Sequence, residues 1–194
     1  MITPKFRLSF HALLAPENNK LSKKDEFYVQ ALFPKGAVLN ALQIAAEEVV
    51  VAKWGADNKR WPNPMRSPFR DQAELQRKDD NSAPMFDEAG QPVLYAGAEA
   101  GAIFMRFATK NRPGVVDGNV EPILDPVKVY SGCWCIADVK PFAYTKGGNT
   151  GVSFGLNHVQ IVADGEPLGN TRVKVEAAFK KVESAGKPAS ALFG

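Results

Sequence analysis

The chain has 194 residues, 45% of them hydrophobic and 23% charged, with a formal net charge of +3. These values fit one globular domain with insertions, and the charge is too small by itself to indicate nucleic-acid binding. No apolar run approaches membrane-spanning length, and the N-terminus lacks a secretory hydrophobic region, so we expect a soluble intracellular protein.

The first half of the chain predicts two strands and one helix. Alternating apolar residues predict a strand from Phe6 to about Leu14 and a second strand from Glu26 to Phe33. The period changes over residues 37–53, which predicts a helix. The residues that fall on one face of this helix are Val38, Leu42, Ala45, Val49 and Ala52.

Residues 55–91 are predicted to be a long loop insertion, rich in proline and charge. A run of this length without its own secondary structure is usually functional or disordered. Within it we expect a short helix at about 71–78 and a solvated acidic excursion at 79–88. The basic residues gather just before that excursion, which predicts a basic surface on a nearly neutral protein. They are Lys53, Lys59, Arg60, Arg66, Arg70, Arg77 and Lys78.

The second half is dominated by predicted strands, at 101–110, 129–144 and 151–163, with an extended segment at 115–126. A short helix is expected at 173–183 and a flexible tail at 184–194. Because strands and helices do not alternate, a small closed barrel with one inserted helix fits better than a doubly wound sheet.

The segment 129–144 has two unequal faces when it is read with a period of two. One face is small and suits a tight interior: Val129, Ser131, Cys133, Cys135, Ala137 and Val139. The other face carries rings and a lysine: Tyr130, Trp134, Ile136, Lys140, Phe142 and Tyr144. Flat rings beside cations are what a base-stacking platform requires, although the same rings could instead fill a barrel interior.

Catalytic and metal-binding patterns are weak. Residues 151–155 match the G-x-S-x-G nucleophile elbow, but a strand follows where a helix is required, and His158 is only five residues downstream. Cys133 and Cys135 lack two further zinc ligands and are interpreted as small buried hydrophobes. Asp117 and Asp125 lie at turn signals, which favours turn chemistry over magnesium binding. We therefore predict no catalytic residue, no metal site and no cofactor.

Recurring pairs of rings and cations predict a single-stranded nucleic-acid site, in which cations follow the phosphates and rings stack on bases. The candidate backbone-binding residues are Arg60, Arg66, Arg106, Lys110, Arg112, Lys140 and Lys146. The candidate stacking residues are Trp61, Phe104, Tyr130, Trp134 and Tyr144.

Three segments of the chain resemble a tailed-phage single-stranded DNA-binding protein family that was long catalogued as a domain of unknown function. They are Asn111-Arg-Pro-Gly-Val-Val-Asp117, Tyr130-Ser-Gly-Cys-Trp-Cys and the block from Lys146 to Gly169. The resemblance implies an OB-fold barrel in a single domain at 1–183, with no enzymatic activity and no cofactor. It also implies that the protein coats and protects single-stranded DNA in the host cell cytoplasm during phage replication or recombination, without strong sequence preference.

We expect the 55–91 insertion to cover the DNA groove and to order on binding. Phage or host replication proteins are possible partners, although residues 187–194 lack the acidic run through which proteins of this class often recruit them. Two alternatives stay open from the sequence. One is an OB module that binds or chaperones single-stranded RNA, and the other is a non-enzymatic virion or scaffold interaction protein.

Overall fold

A computed structural model describes residues 1–19 and 23–169 of the chain. The described part has one α-helix, α1 (Asn40–Trp54), between the second and third strands. The strands are β1 (Phe6–Asn19), β2 (Lys24–Leu32), β3 (Arg70–Asp71), β4 (Ile103–Thr109), β5 (Gly114–Val116), β6 (Trp134–Lys146) and β7 (Asn149–Ala163). The helix and tail expected at 173–183 and 184–194 lie outside the described residues.

The longer strands form a closed ring. β1 pairs antiparallel with β2 and with β6, β2 pairs with β4, and β6 pairs with β7 along its whole length. The ring closes where β4 runs parallel to β7, with Phe107 opposite Phe154. A five-stranded Greek-key ring is the architecture of the OB fold, so the expected mainly β, OB-like fold with one inserted helix is confirmed.

Four buried phenylalanines fill the ring. Phe107 lies edge-on to Phe6 and to Phe154, with ring centroids 6.1 and 6.2 Å apart. Phe6 also meets Phe33 at 5.7 Å. Edge-to-face pairs of this kind stabilise a core by about 0.5–1.5 kcal/mol beyond the area that they bury.

The helix covers the ring with Leu42, Ala46 and Val50, which are spaced four residues apart and are buried. The face expected from the sequence is wrong at Val38 and at Ala52, which are both exposed. The reason at Val38 is that α1 begins at Asn40, so Val38 precedes the helix and does not follow its period. Ala52 is two residues beyond Val50 and therefore turns away from the buried row.

The small face of the 129–144 segment points into the closed ring of strands, and the face that carries the aromatic side chains points outward. This decides between the two arrangements that the sequence left open. Cys133, Cys135, Ala137 and Val139 are all buried. Burial raises the pKa of both thiols, most strongly that of Cys135, so neither cysteine is a reactive thiolate at neutral pH. The strand itself begins later than expected, at Trp134, because residues 131–132 form a turn in which Gly132 has a φ of 123°.

The 55–91 region contains two 3-10 turns and the two-residue strand β3, and the rest of it is irregular backbone with isolated bridges. A helix over 71–78 is wrong: only a single 3-10 turn forms at Gln72–Glu74, after which Gln76 and Lys78 make isolated bridges to Leu94 and Pro84. Residues 75–95, called the arm below, fold into three adjacent chain segments that are joined by backbone hydrogen bonds. Arg77 N donates to Val93 O at 2.8 Å, and Met85 N donates to Arg77 O at 2.9 Å.

The turn aspartates behave as the sequence predicts. Asp117 Oδ1 accepts hydrogen bonds from the backbone N–H groups of Asn119 and Glu121, and Asp125 Oδ1 accepts from Val127 N.

Within residues 1–19 and 23–169, no group of three or more His, Cys, Asp or Glu side chains could hold a metal ion. Across the same residues, no helix has the length and apolar character needed to cross a bilayer.

Two contacts hold the start of the 55–91 region against the ring. Arg66 runs beside β7 at Gly151, where Arg66 N donates to Thr150 O and Val152 N donates to Arg66 O, at 2.8 and 3.1 Å. The buried Gln72 side chain donates to Phe33 O and Ile103 O, both at 2.8 Å, and accepts from Glu99 N at 2.8 Å.

Gly151→Ala is expected to destabilise the fold by about 1–3 kcal/mol, the usual range for overpacking. A Cβ at this position would lie 2.6 Å from Arg66 O, and a backbone atom cannot move aside as a flexible side chain can. Urea denaturation measures the change in the free energy of unfolding. Gly155→Ala on the same strand is the matched control, because its Cβ would meet nothing closer than 3.7 Å. Equal stability of the two variants would contradict the packing described here.

Gln72→Leu is expected to lower the free energy of unfolding by about 2–3 kcal/mol, because Phe33 O and Glu99 N lose their side-chain partner, whereas Ile103 O keeps the backbone N–H of Phe33. Thermal and urea unfolding test this. The exposed Gln43→Leu on α1 should change stability by no more than about 0.5 kcal/mol. A Gln72→Leu protein as stable as the Gln43→Leu protein would show that these hydrogen bonds contribute little.

Candidate nucleic-acid interface

An open groove of about 600 Å³ lies on the outside of the ring, at the seam where β4 meets β7. Arginines and aromatic rings contributed by several separate segments dominate its lining. They are Arg66, Phe69, Arg70, Phe104, Arg106 and Tyr144. We call this the seam groove.

Strand alternation explains how β4 contributes to the seam groove. Met105 and Phe107 point into the core, so Phe104 and Arg106 point outward. Arg70 on β3 pairs with Phe104 in the register of the sheet, which brings the 66–70 segment alongside. Tyr144 reaches the same place from β6, and its hydroxyl lies over Gly151, where a Cβ would be 3.0 Å away.

Phe104 forms the floor of the groove and is only 3% exposed. The Arg70 guanidinium lies over the ring at 4.8 Å from its centroid and is itself held by Glu74, with Arg70 Nε donating to Glu74 Oε2 at 2.9 Å. A base can therefore stack on Phe104 only if Arg70 moves away.

Arg106 is held from two sides. Its guanidinium lies 3.6 Å from the centroid of the Tyr28 ring and donates to Glu26 Oε1 at 2.6 Å. Tyr28 in turn donates its hydroxyl proton to Glu17 at 2.7 Å. Partial burial, followed by this hydrogen bond, raises the pKa of Tyr28. The phenol thus remains a neutral donor, and it orients the arginine above it.

Arg66 differs from the other two arginines of the groove. Arg70 and Arg106 each have a glutamate partner, whereas no carboxylate in residues 1–19 or 23–169 forms an ion pair with Arg66. Its side chain is exposed, while its backbone is fixed on β7. It is therefore an uncompensated positive charge at a defined position on the rim.

The remaining predicted cations do not line the seam groove. Lys110, Arg112, Lys140 and Lys146 are exposed at or beyond the ends of strands or on the outer face of β6. Arg60 lies in the turn before the groove, 80% exposed and 3.7 Å from Asp57.

Three predicted stacking residues are also elsewhere. Trp61 packs partly against the core and donates its indole N–H to Gly55 O at 2.8 Å. Tyr130 is fixed to the turn at Gly165, whose carbonyl its hydroxyl contacts at 3.0 Å. Trp134 begins β6, so at about 3.3 Å per residue it lies about 30 Å along the strand from Tyr144. The outward face of this strand is therefore not one continuous platform.

Sequence reasoning missed Phe69 and Tyr28 as members of the site, and named Arg70 only as part of a basic run. Tyr28 could have been found, because it alternates with the buried Phe27 and Val29 and so had to face outward. Phe69 could not, because only the pairing of β3 with β4 shows where the proline-rich segment lies.

Comparisons with known proteins agree with this architecture. A protein designated p50, from Acyrthosiphon pisum secondary endosymbiont phage 1, is 27% identical over 169 residues, covering 82% of this chain and 81% of that protein. The single-stranded DNA-binding protein of bacteriophage Enc34 in complex with ssDNA superposes with a TM-score of 0.59 at 17% identity, covering 87% of this chain and 88% of that one. The bacteriophage T7 single-stranded DNA-binding protein gp2.5 gives a TM-score of 0.53 at 13% identity, covering 91% and 95%.

The family model described as "Enterobacter phage Enc34, ssDNA-binding protein" matches residues 1–188. The chain belongs to this single-stranded DNA-binding protein family.

Proposed function

We propose that this protein binds single-stranded DNA through the seam groove and coats exposed strands during phage DNA replication or recombination in the host cytoplasm. The observation that carries the proposal is the convergence of three arginines and three rings on the outer face of β4, where it adjoins β7. In OB folds the outer face of the second and third strands of the barrel binds oligonucleotides. The corresponding strands of this protein are β2 and β4.

Phosphate binding in this proposal begins at Arg66, because no carboxylate of the described residues has to be released from it first. Arg70 and Arg106 then exchange Glu74 and Glu26 for phosphate oxygens. Each exchange replaces one charge-assisted hydrogen bond by another, so the gain comes mainly from released counterions.

Base stacking in this proposal uses Tyr144 and Phe69, which are half-buried rings at the rim of the groove. Phe142 is 46% exposed and lies 6.3 Å from Tyr144, so it extends this aromatic surface along β6. Stacking accepts any base, because every base has a π face, which is consistent with weak sequence preference.

The hairpin between β6 and β7 brings Lys146 close to the same rim. In OB folds the loop between the fourth and fifth strands of the barrel contributes to oligonucleotide binding. The corresponding strands here are β6 and β7, so this hairpin occupies that position. We therefore keep Lys146 among the proposed phosphate contacts, with Lys110, Arg112, Lys140 and Arg60 as outer contacts of a longer strand. The 55–91 region supplies one wall of the groove, and we propose no catalytic role for the protein.

Arg66→Ala is expected to weaken binding to oligo-dT about tenfold or more and to reduce the slope of log affinity against log salt by about 0.7, which corresponds to one phosphate. Fluorescence anisotropy of a labelled oligonucleotide measures both. Tryptophan quenching is less suitable, since none of Trp54, Trp61 and Trp134 lines the groove.

The control is Lys128→Ala, which removes an exposed charge near the opposite end of β6. An unchanged slope for Arg66→Ala would contradict the assignment of the groove, and stronger competition by oligo-U than by oligo-dT would favour RNA as the ligand.

Glu26→Gln is expected to raise the affinity for oligo-dT by about 1.5- to 5-fold, because Arg106 then no longer exchanges a partly exposed carboxylate for phosphate. The same anisotropy titration at low salt measures it. Asp25→Asn on the neighbouring exposed position removes an equal charge without touching Arg106 and serves as control. A fall in affinity, or an equal rise in both variants, would show that the Glu26 pair does not compete with DNA.

A further inference from the structure

A second groove lies on the outer face of β1, between that strand and the arm. Its volume is about 580 Å³, and its lining includes Phe10, Arg77, Leu94 and Tyr95. None of the residues singled out by the sequence as candidate contacts belongs to it. We call it the arm groove.

A β-bulge places Phe10 in this groove. In the pairing of β1 with β2, Leu8 lies opposite Ala31 and His11 opposite Val29, so two residues of β1 face the single residue Gln30. The extra residue reverses the alternation after Leu8. As a result Ser9 is buried at 4% exposure, whereas Phe10, which would otherwise follow Phe6 and Leu8 into the core, is 46% exposed. Bulges commonly re-aim a side chain in this way next to binding sites.

The exposed ring of Phe10 meets a second exposed ring from the arm. Tyr95 lies edge-on to Phe10, with centroids 5.1 Å apart and ring planes at 89°. Tyr95 N donates to Leu75 O at 2.9 Å, so the tyrosine is fixed by the backbone of the arm and is still 38% exposed. Both rings are therefore held in place and partly exposed to solvent, which suits stacking of a planar group.

The arm groove also has a cation and lies close to the seam groove. Arg77 is part of its lining and forms no ion pair within the described residues. On the outer face of the sheet, Gln30 of β2 lies beside Arg106 of β4 and opposite the bulge that carries Phe10. Two strand spacings of about 4.8 Å separate Arg106 from Phe10, or about 10 Å. One bound strand can therefore reach both grooves.

We infer that the arm groove is a second subsite for single-stranded DNA, in which Phe10 and Tyr95 stack on a base and Arg77 binds a neighbouring phosphate. This inference rests on the proposed function and extends the bound strand from the seam groove across β2 to β1. It also gives the arm a role, because the arm supplies both Tyr95 and Arg77.

The test compares affinities of the full-length protein for oligo-dT and for an abasic oligonucleotide of equal length, by anisotropy at one salt concentration. Phe10→Ala is expected to weaken oligo-dT binding by about 5- to 150-fold, which corresponds to the loss of one stacked base. It should leave the affinity for the abasic oligonucleotide unchanged, because no base remains to stack. Arg77→Ala should weaken binding to both ligands and reduce the salt slope by about 0.7.

The controls separate stacking from general effects on the arm. Phe10→Tyr keeps a ring and should retain the affinity for oligo-dT, and Tyr95→Ala should repeat the Phe10→Ala result if one variant folds poorly. Phe86→Ala removes a more exposed ring at the acidic end of the arm, and Lys78→Ala removes the next cation, and neither should change affinity.

The outcomes distinguish this inference from the proposed function. Wild-type protein that fails to bind oligo-dT would overturn both. Wild-type binding that depends on Arg66 and is unaffected by Phe10→Ala and Tyr95→Ala would overturn the second subsite alone. An equal loss for Phe10→Ala on both ligands would also overturn it, since the ring would then act through the shape of the arm. Intact DNA binding with impaired self-association in these variants would assign the arm groove to a protein contact instead.

Discussion

The parallel pairing of β4 with β7 is the contact on which the rest of this structure depends. It closes the ring, and it brings Phe107 and Phe154 together as neighbours in the core. Because side chains alternate along a strand, the same pairing places the outward residues of β4 next to the outer surface of β7. The core and the seam groove therefore lie on opposite faces of the same strand pair. The packing of its inner face also fixes the positions of the residues on its outer face.

Much of the fold could be predicted from local pattern. The alternation in β2, β4 and β6 was strong enough to identify strands, although the sequence left open which face of β6 lies inside. The helical period over residues 37–53 identified α1 as a helix. The helix 71–78 was wrong because Asp71 caps a single 3-10 turn, after which the chain pairs with residues 91–95. Such pairing joins residues that are not adjacent in sequence. Neither of the paired segments shows an alternation of apolar and polar residues that would predict the pairing.

The site was less predictable than the fold, and the reason is geometric. Arg66, Phe104, Arg106 and Tyr144 were chosen for their chemistry, and they do meet in the seam groove. Trp134 and Tyr130 were chosen for the same chemistry on the same strand face as Tyr144, but a strand of this length reaches across the molecule. Phe10 was missed for the opposite reason: a period of two assigns it to the core, and only the bulge, which depends on the facing strand, turns it outward.

The pairing of Arg70 with Glu74 and of Arg106 with Glu26 and Tyr28 has a thermodynamic consequence. Long cationic side chains normally lose rotamer freedom when they bind a ligand. This loss of side-chain entropy makes the free energy of binding less favourable. Here part of that loss has already occurred during folding, because both guanidinium groups are paired with glutamates in the folded chain. In the proposed binding mode this smaller entropic cost offsets part of the cost of releasing each glutamate, and the carboxylates keep the net charge of the seam groove low while it is empty.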